Sequence, residues 1–143
     1  MFIALLLALA PVTTPAPVAG VGDHIALQVA DTDKSANFYM RYFGLRPIPA
    51  AARITTVRWL QAGPFQMHLI GGRTKPTNIP IDVHFALRVA DLNAVITHLD
   101  QDKVSWSESD HNPHATQTRR DGVRQIYLQD PDGYWIEVNE LPH

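Results

Sequence analysis

The sequence predicts an α+β fold in which one β-α-β-β-β module is used twice. The first observation is an internal repeat. His24-Ile25-Ala26-Leu27-Gln28-Val29-Ala30-Asp31 matches His84-Phe85-Ala86-Leu87-Arg88-Val89-Ala90-Asp91 at six of eight positions, at an offset of 60 residues. The second is period-two alternation inside each copy. Ile25, Leu27 and Val29 share one face, as do Phe85, Leu87 and Val89, which marks strands. The third is an amphipathic stretch after each copy, long enough for a helix of about three turns. The modules span about residues 22–80 and 81–141 of a single domain over 21–143.

The elements follow in order. Asp31-Thr32 caps a helix over about 33–43, with Ala36, Tyr39, Met40 and Phe43 on one side and Gly44 at its left-handed exit. Asp91 caps a second helix from Leu92 to about Asp102, with Leu92, Val95, Ile96 and Leu99 as its buried stripe. A short strand is expected directly after each helix, near Leu45–Pro49 and Val104–Glu108. Longer strands are expected at about 53–60, 64–70, 123–129 and 134–140, with Asp130-Pro131-Asp132-Gly133 as the turn between the last two. Residues 108–121 show no period and read as a long loop.

Composition limits the function classes. The chain has 143 residues, 45% apolar and 18% charged, as expected of one globular domain with a core. A net charge of −2 gives no basic footprint for nucleic acid. With no cysteine there is no disulfide, zinc–thiolate site, iron–sulfur cluster or thiol nucleophile. Seven histidines are many for this length, and they direct attention to imidazole chemistry.

Residues 1–20 stand apart. Met1–Ala10 is unbroken apolar sequence, too short for the roughly 20 residues of a membrane span but suited to a signal-peptide core, and Ala8-Leu9-Ala10 is an A-x-A cleavage pattern. No Lys or Arg precedes the run, and Pro11 would follow the cut. The expectation is a signal peptide or a loose N-terminal arm. A cleaved leader places the mature protein in the periplasm or outside the cell, with no stable membrane insertion after processing; without it the protein is cytoplasmic.

Alternation also places the polar side chains. In the last strand of module 1, Phe65, Met67 and Leu69 take the helix face, and Gln66 and His68 the other. In the last strand of module 2, Ile136 and Val138 oppose Trp135, Glu137 and Asn139, and before it Gln125 and Tyr127 oppose Ile126 and Leu128. His24, His68, His84 and Glu137 therefore occupy non-helix faces, two from each half. A single strand histidine is more often a surface or hydrogen-bonded side chain than a ligand. The equivalence of His24 and His84 in the repeat argues for ligands, and pairing of the halves about a pseudo-twofold axis brings the four together. Three imidazoles and a carboxylate suit a divalent Zn, Ni, Co, Mn or Fe ion. His98 is expected to be solvated, His111 and His114 belong to the loop, and His143 is terminal.

The repeat, together with Asp23-His24-Ile25, Asn37-Phe38-Tyr39, Phe43-Gly44-Leu45, Met67-His68-Leu69-Ile70, Val83-His84-Phe85 and Gln129 to Glu137, resembles the vicinal oxygen chelate superfamily over about residues 22–141. That family includes glyoxalase I, bleomycin-resistance proteins, fosfomycin-resistance enzymes and extradiol dioxygenases. The resemblance implies a cupped, mainly antiparallel eight-stranded sheet with helices outside and a divalent metal inside. It puts the ligands at His24, His68, His84 and Glu137. Glyoxalase I typically carries Glu at the position of His68, so here only Glu137 remains as a carboxylate base.

The reading favoured is a glyoxalase-like, metal-dependent lyase or isomerase acting on a small substrate chelated through vicinal oxygens, with Glu137 catalytic. The alternatives are an extradiol-type Fe(II) dioxygenase, since His24, His84 and Glu137 form a 2-His-1-carboxylate set, and a non-catalytic antibiotic binder. Arg88, Gln125, Tyr127 and Trp135 share the ligand parity and are candidate substrate-binding residues. Arg58 is another, although parity leaves open whether Arg58 or Trp59 faces the site. A homodimer is compatible with this layout.

Overall fold

The computed structural model describes residues 19–50 and 55–141. The expected leader or arm over residues 1–20 thus lies, apart from Ala19 and Gly20, outside the described residues. Among the described residues no helix is long and apolar enough to cross a membrane.

Module 1 runs β1 (His24–Val29), α1 (Thr32–Phe43), β2 (Arg46–Ile48), β3 (Val57–Ala62) and β4 (Phe65–Gly71). Module 2 runs β5 (His84–Val89), α2 (Leu92–Gln101), β6 (Trp106–Ser107), β7 (Gln117–Thr118), β8 (Arg124–Gln129) and β9 (Trp135–Glu140). The strand orders are β1-β4-β3-β2 and β5-β9-β8-β6, so the two modules have equivalent topology. In each, the first and last strands pair in parallel and the other pairs are antiparallel. The ladders form two open sheets, with β1 and β5 as outer strands. The added strand β7 lies within the 108–121 loop and pairs with β8.

Capping chemistry sets the helix ends. The Asp31 carboxylate accepts from the Asp33 and Lys34 backbone N–H groups at 2.9 and 3.0 Å, and Gly44 takes φ 64° at the exit. Asp91 accepts from Ala94 N–H at 3.0 Å. Behind it the Glu140 carboxylate accepts from Leu92 N–H at 3.3 Å and from Arg124 at 3.2 Å, placing negative charge at the helix N-terminus.

The core sits between sheets and helices. Leu27, Val29, Leu60, Met67 and Leu69 are buried with Ala36 and Tyr39. Leu87, Ile126, Leu128, Ile136 and Val138 are buried with Leu92, Val95 and Leu99, and the two groups form one continuous cluster. Each such aliphatic side chain contributes about 1.5–3 kcal/mol on burial.

The Asp130–Gly133 turn does more than reverse the chain. Asp132 accepts from Ala30 N–H at 2.8 Å and from the Ser35 hydroxyl at 3.2 Å, while Asp130 accepts from the Tyr39 hydroxyl at 2.7 Å. Both carboxylates are buried. Asp130 also accepts from Asp132 N–H and Tyr134 N–H at 2.9 Å each, so the turn orders itself while gripping the β1–α1 junction of module 1. Burial pushes the Asp130 carboxyl up and the Tyr39 phenol up with it. Gly133, at φ 86°, packs where a Cβ would meet the Thr77 hydroxyl at 2.9 Å. The close approach lets Thr77 N–H donate to the Asp132 carbonyl at 2.8 Å, which pins the connection between the modules.

Candidate active site

β1, β4, β5 and β9 each bring one of the four candidate ligands to the face opposite the buried aliphatic side chains. On sheet 1, His24 and His68 stack with ring centroids 4.2 Å apart, and His68 stacks on Trp59 at 4.0 Å with an 8° interplanar angle. The register explains the stack, because Trp59 lies directly opposite His68 on β3. On sheet 2, His84 Nε2 lies 3.2 Å from Glu137 Oε2. The Tyr127 ring meets His84 edge-on at 5.3 Å, and Tyr127 is the direct cross-strand partner of Glu137.

The structure thus forms two pairs, His24 with His68 and His84 with Glu137, on separate sheets. Among the described residues no three His, Cys, Asp or Glu side chains gather closely enough to hold a metal ion. Convergence of all four is not achieved within one copy of the chain.

The hydrogen bonds leave a consistent set of donor atoms. The Asp23 carboxylate accepts from His24 Nδ1–H at 2.7 Å, the Ile81 carbonyl from His84 Nδ1–H at 2.6 Å, and the Gln66 side-chain carbonyl from His68 Nε2–H at 3.2 Å. In each neutral ring the other nitrogen then carries a lone pair: Nε2 of His24 and His84, and Nδ1 of His68. Burial, and secondarily His24 beside it, hold the His68 imidazole below its usual range, which keeps that lone pair free of a proton. His84 Nε2 faces Glu137 Oε2, a contact closed by a proton on the imidazole or by a cation that both atoms ligate, and a nitrogen and an oxygen so placed are donor types a divalent ion accepts.

Glu137 is the most supported side chain of the set. Its Oε1 accepts from Asn139 Nδ2 at 2.6 Å, and its Oε2 accepts from the Tyr127 hydroxyl in a short bond. Gln125 Nε2 donates to that hydroxyl at 3.0 Å and to the Gln117 side-chain oxygen, Oε1, at 2.7 Å. Burial and the bond to Glu137 push the Tyr127 phenol far up, so it acts as a hydrogen-bond donor. The Gln125 and Asn139 side-chain oxygens are buried without a hydrogen-bond partner. Arg119 brings its guanidinium to 3.9 Å from Glu137 Oε1.

The remaining candidates separate by position. Gln125 and Tyr127 are committed to the Glu137 network. Trp135 stands on the same face, its indole N–H donating to the Ile79 carbonyl at 3.1 Å. Arg88 is exposed and lines a cleft of about 470 Å³ with Leu45, Gly63 and Pro64. Arg58 is a correction. It points to the helix side and pairs with Asp33 on α1 at 2.8 Å, and Trp59 takes the site face instead. The reason is parity, since buried Leu60 commits its alternate neighbour Arg58 to the helix side. His98 is exposed on α2, as expected. His114 pairs with Asp100 at 3.3 Å, and His111 packs beside Trp135. Sequence reasoning missed Arg119 and the role of Asn139 as a support for Glu137. Asn139 carried a signal in its shared parity, whereas Arg119 lies in the aperiodic loop.

The family model of the Glyoxalase/Bleomycin resistance protein/Dioxygenase superfamily matches residues 22–138. The chain belongs to that superfamily. Solved structures share the fold at low identity. Oxidase ChaP-H2 is similar at 19% identity and a TM-score of 0.72, over 88% of this chain and 97% of that one. A glyoxalase/dioxygenase from Nostoc punctiforme is similar at 21% and 0.68, over 92% and 100%. The lactoylglutathione lyase from Agrobacterium tumefaciens is similar at 17% and 0.60, over 87% and 96%. A search of curated proteins finds no match. Superfamily membership and the β-α-β-β-β pair are therefore established, and the superfamily's several chemistries leave the reaction to the site.

Proposed function

We propose that the protein is a glyoxalase-like lyase or isomerase that uses a divalent metal on a small substrate bearing two adjacent oxygens. The observation that carries this reading is the His84–Glu137 contact, an imidazole nitrogen and a carboxylate oxygen 3.2 Å apart with the other polar atoms of the pair already engaged. His84 and Glu137 would hold the ion from one sheet, and His24 and His68 from the other. Because the pairs lie on different sheets, a second copy of the chain supplies the missing half in a homodimer. When bound, the ion supplies Lewis-acid polarisation of a substrate oxygen.

The chain's own residues do the rest. Glu137 is the carboxylate of the set, and its Oε2 would move the substrate proton once the substrate's oxygens have displaced it from the ion. The Tyr127 hydroxyl and the Asn139 amide fix its rotamer, so the oxygen that takes the proton does not wander. Trp59 holds the His68 ring in plane. Arg119 places positive charge beside the carboxylate and suits an anionic substrate.

The test joins metal analysis with turnover. Protein purified without chelators or a metal-affinity tag should contain a stoichiometric divalent ion and run as a dimer. It should isomerise a 2-oxoaldehyde–thiol adduct. Consumption of dioxygen with a catechol and Fe(II) would replace this reading with the dioxygenase, and metal-free protein with no turnover would replace it with the binder. Export of the mature chain is proposed alongside, and N-terminal sequencing of the native protein checks it.

A further inference from the structure

We infer that the cleft between β6, β8, β9 and the loop before β7 is a subsite for a flat aromatic ring. This deepens the reading above by naming the substrate class, and it rests on that reading only for the reaction. The cleft holds about 290 Å³, and Trp106, Ser107, His111, Pro113, Tyr127 and Trp135 form its walls. That is the small end of ligand pockets, sized for one or two fused rings.

The walls are held in place. The Trp135 indole is tied to the Ile79 carbonyl at 3.1 Å. His111 sits at φ 66°, a left-handed conformation uncommon for a residue with a side chain. Glu108 imposes it. Its carboxylate accepts from Asn112 N–H at 3.1 Å and Asn112 Nδ2 at 2.6 Å, and its carbonyl accepts from His111 N–H at 3.1 Å. A bridge between Ser107 and Pro113 closes the loop. The imidazole then meets the Trp135 ring at 5.6 Å and 54°, a corner rather than a sandwich. A planar ligand can lie on one wall and present its edge to the other, the arrangement aromatic quadrupoles favour.

The cleft also points at the chemistry. Tyr127 is one of its walls, and the same side chain bonds Glu137 and touches His84. A ring seated here presents its substituents to that pair. The subsite therefore selects substrates whose adjacent oxygens are borne on or beside an aromatic ring.

The test uses the full chain, labelled with ¹⁵N and stripped of metal, and quinoline as the probe, a flat bicycle without adjacent oxygens. The chain has three tryptophans, so the Trp135 indole N–H signal is assigned by its loss in Trp135→Phe. Quinoline should shift that signal saturably. Binding followed from the ligand side should weaken about tenfold in Trp135→Leu and about fivefold in His111→Ala, with metal affinity unchanged. His111 is exposed, so its variant keeps the test decisive if Trp135→Leu does not fold. No shift at millimolar quinoline, or equal binding by wild type and His111→Ala, overturns the subsite. Saturable quinoline binding by protein that takes up no divalent metal upholds the subsite and removes the metal-assisted reading.

Discussion

His24 and His84 open equivalent strands, yet their surroundings differ in kind. His24 is held by Asp23, an exposed neighbour on the same strand end, and rests on a stack of rings. His84 is held by a backbone carbonyl and faces a carboxylate that three further side chains support. The same contrast holds at the hairpin turns. The turn of module 1, at Gly63-Pro64, is exposed, whereas that of module 2 carries two buried aspartates gripping its sister. A repeat transmits backbone positions, and the side chains around them diverge. Module 2 holds the hydrogen-bonded half of the candidate site, and module 1 the half made by stacking.

The largest effect expected from this contrast is on turnover. Glu137→Gln should lower it about 10²–10⁴-fold while leaving the melting temperature near wild type, measured on the substrate that metal-loaded protein accepts. Full activity in that variant would end the proton-transfer role. Next is the grip between modules. Asp132→Ala removes the acceptor of Ala30 N–H and the Ser35 hydroxyl and should cost about 3 kcal/mol in urea unfolding, against about 0.5 kcal/mol for Pro64→Ala in the equivalent turn. Equal losses would erase the asymmetry. Tyr127→Phe should weaken divalent metal binding about tenfold in a chelator competition, because it loosens Glu137. Asp23→Asn should change the same affinity by no more than about twofold, since exposed charge pairs contribute little. If Asp23→Asn is the more damaging of these two, the supported half has been assigned to the wrong module.

Much of this architecture was legible. The octapeptide repeat located β1 and β5, and the parity of Met67–Leu69 and Ile136–Val138 put His68 and Glu137 on the faces opposite the buried aliphatic side chains. Capping aspartates and Gly44 marked the helices to within a residue or two. What escaped depends on distance through space. Period two says which face a side chain takes within one strand, and the repeat put two of the four residues in each half, but neither says how the halves sit together, so the failure of the two pairs to meet within one copy was invisible. Asp130 and Asp132 read as turn formers, because nothing local reveals that Ala30, Ser35 and Tyr39 lie beneath them. Arg58 was undecidable because Trp59 on the opposite face is equally at home in a wall or a core. β7 and Arg119 sit in a stretch without any period, where alternation has nothing to say.

The pinned connection bears on how the chain could be divided. Arg73 N–H donates to the Val29 carbonyl, so it still belongs to the first sheet. Four residues on, Thr77 N–H donates to the Asp132 carbonyl, and Ile79 receives the Trp135 indole. The chain changes allegiance within Thr74-Lys75-Pro76, before the repeat itself begins again. Two separately expressed pieces meeting there would each keep their own anchoring bonds, whereas a break at the repeat boundary would strand Thr77 and Ile79 on the wrong fragment. A split-reporter or circular-permutation design based on the repeat alone would therefore cut in the wrong place by several residues.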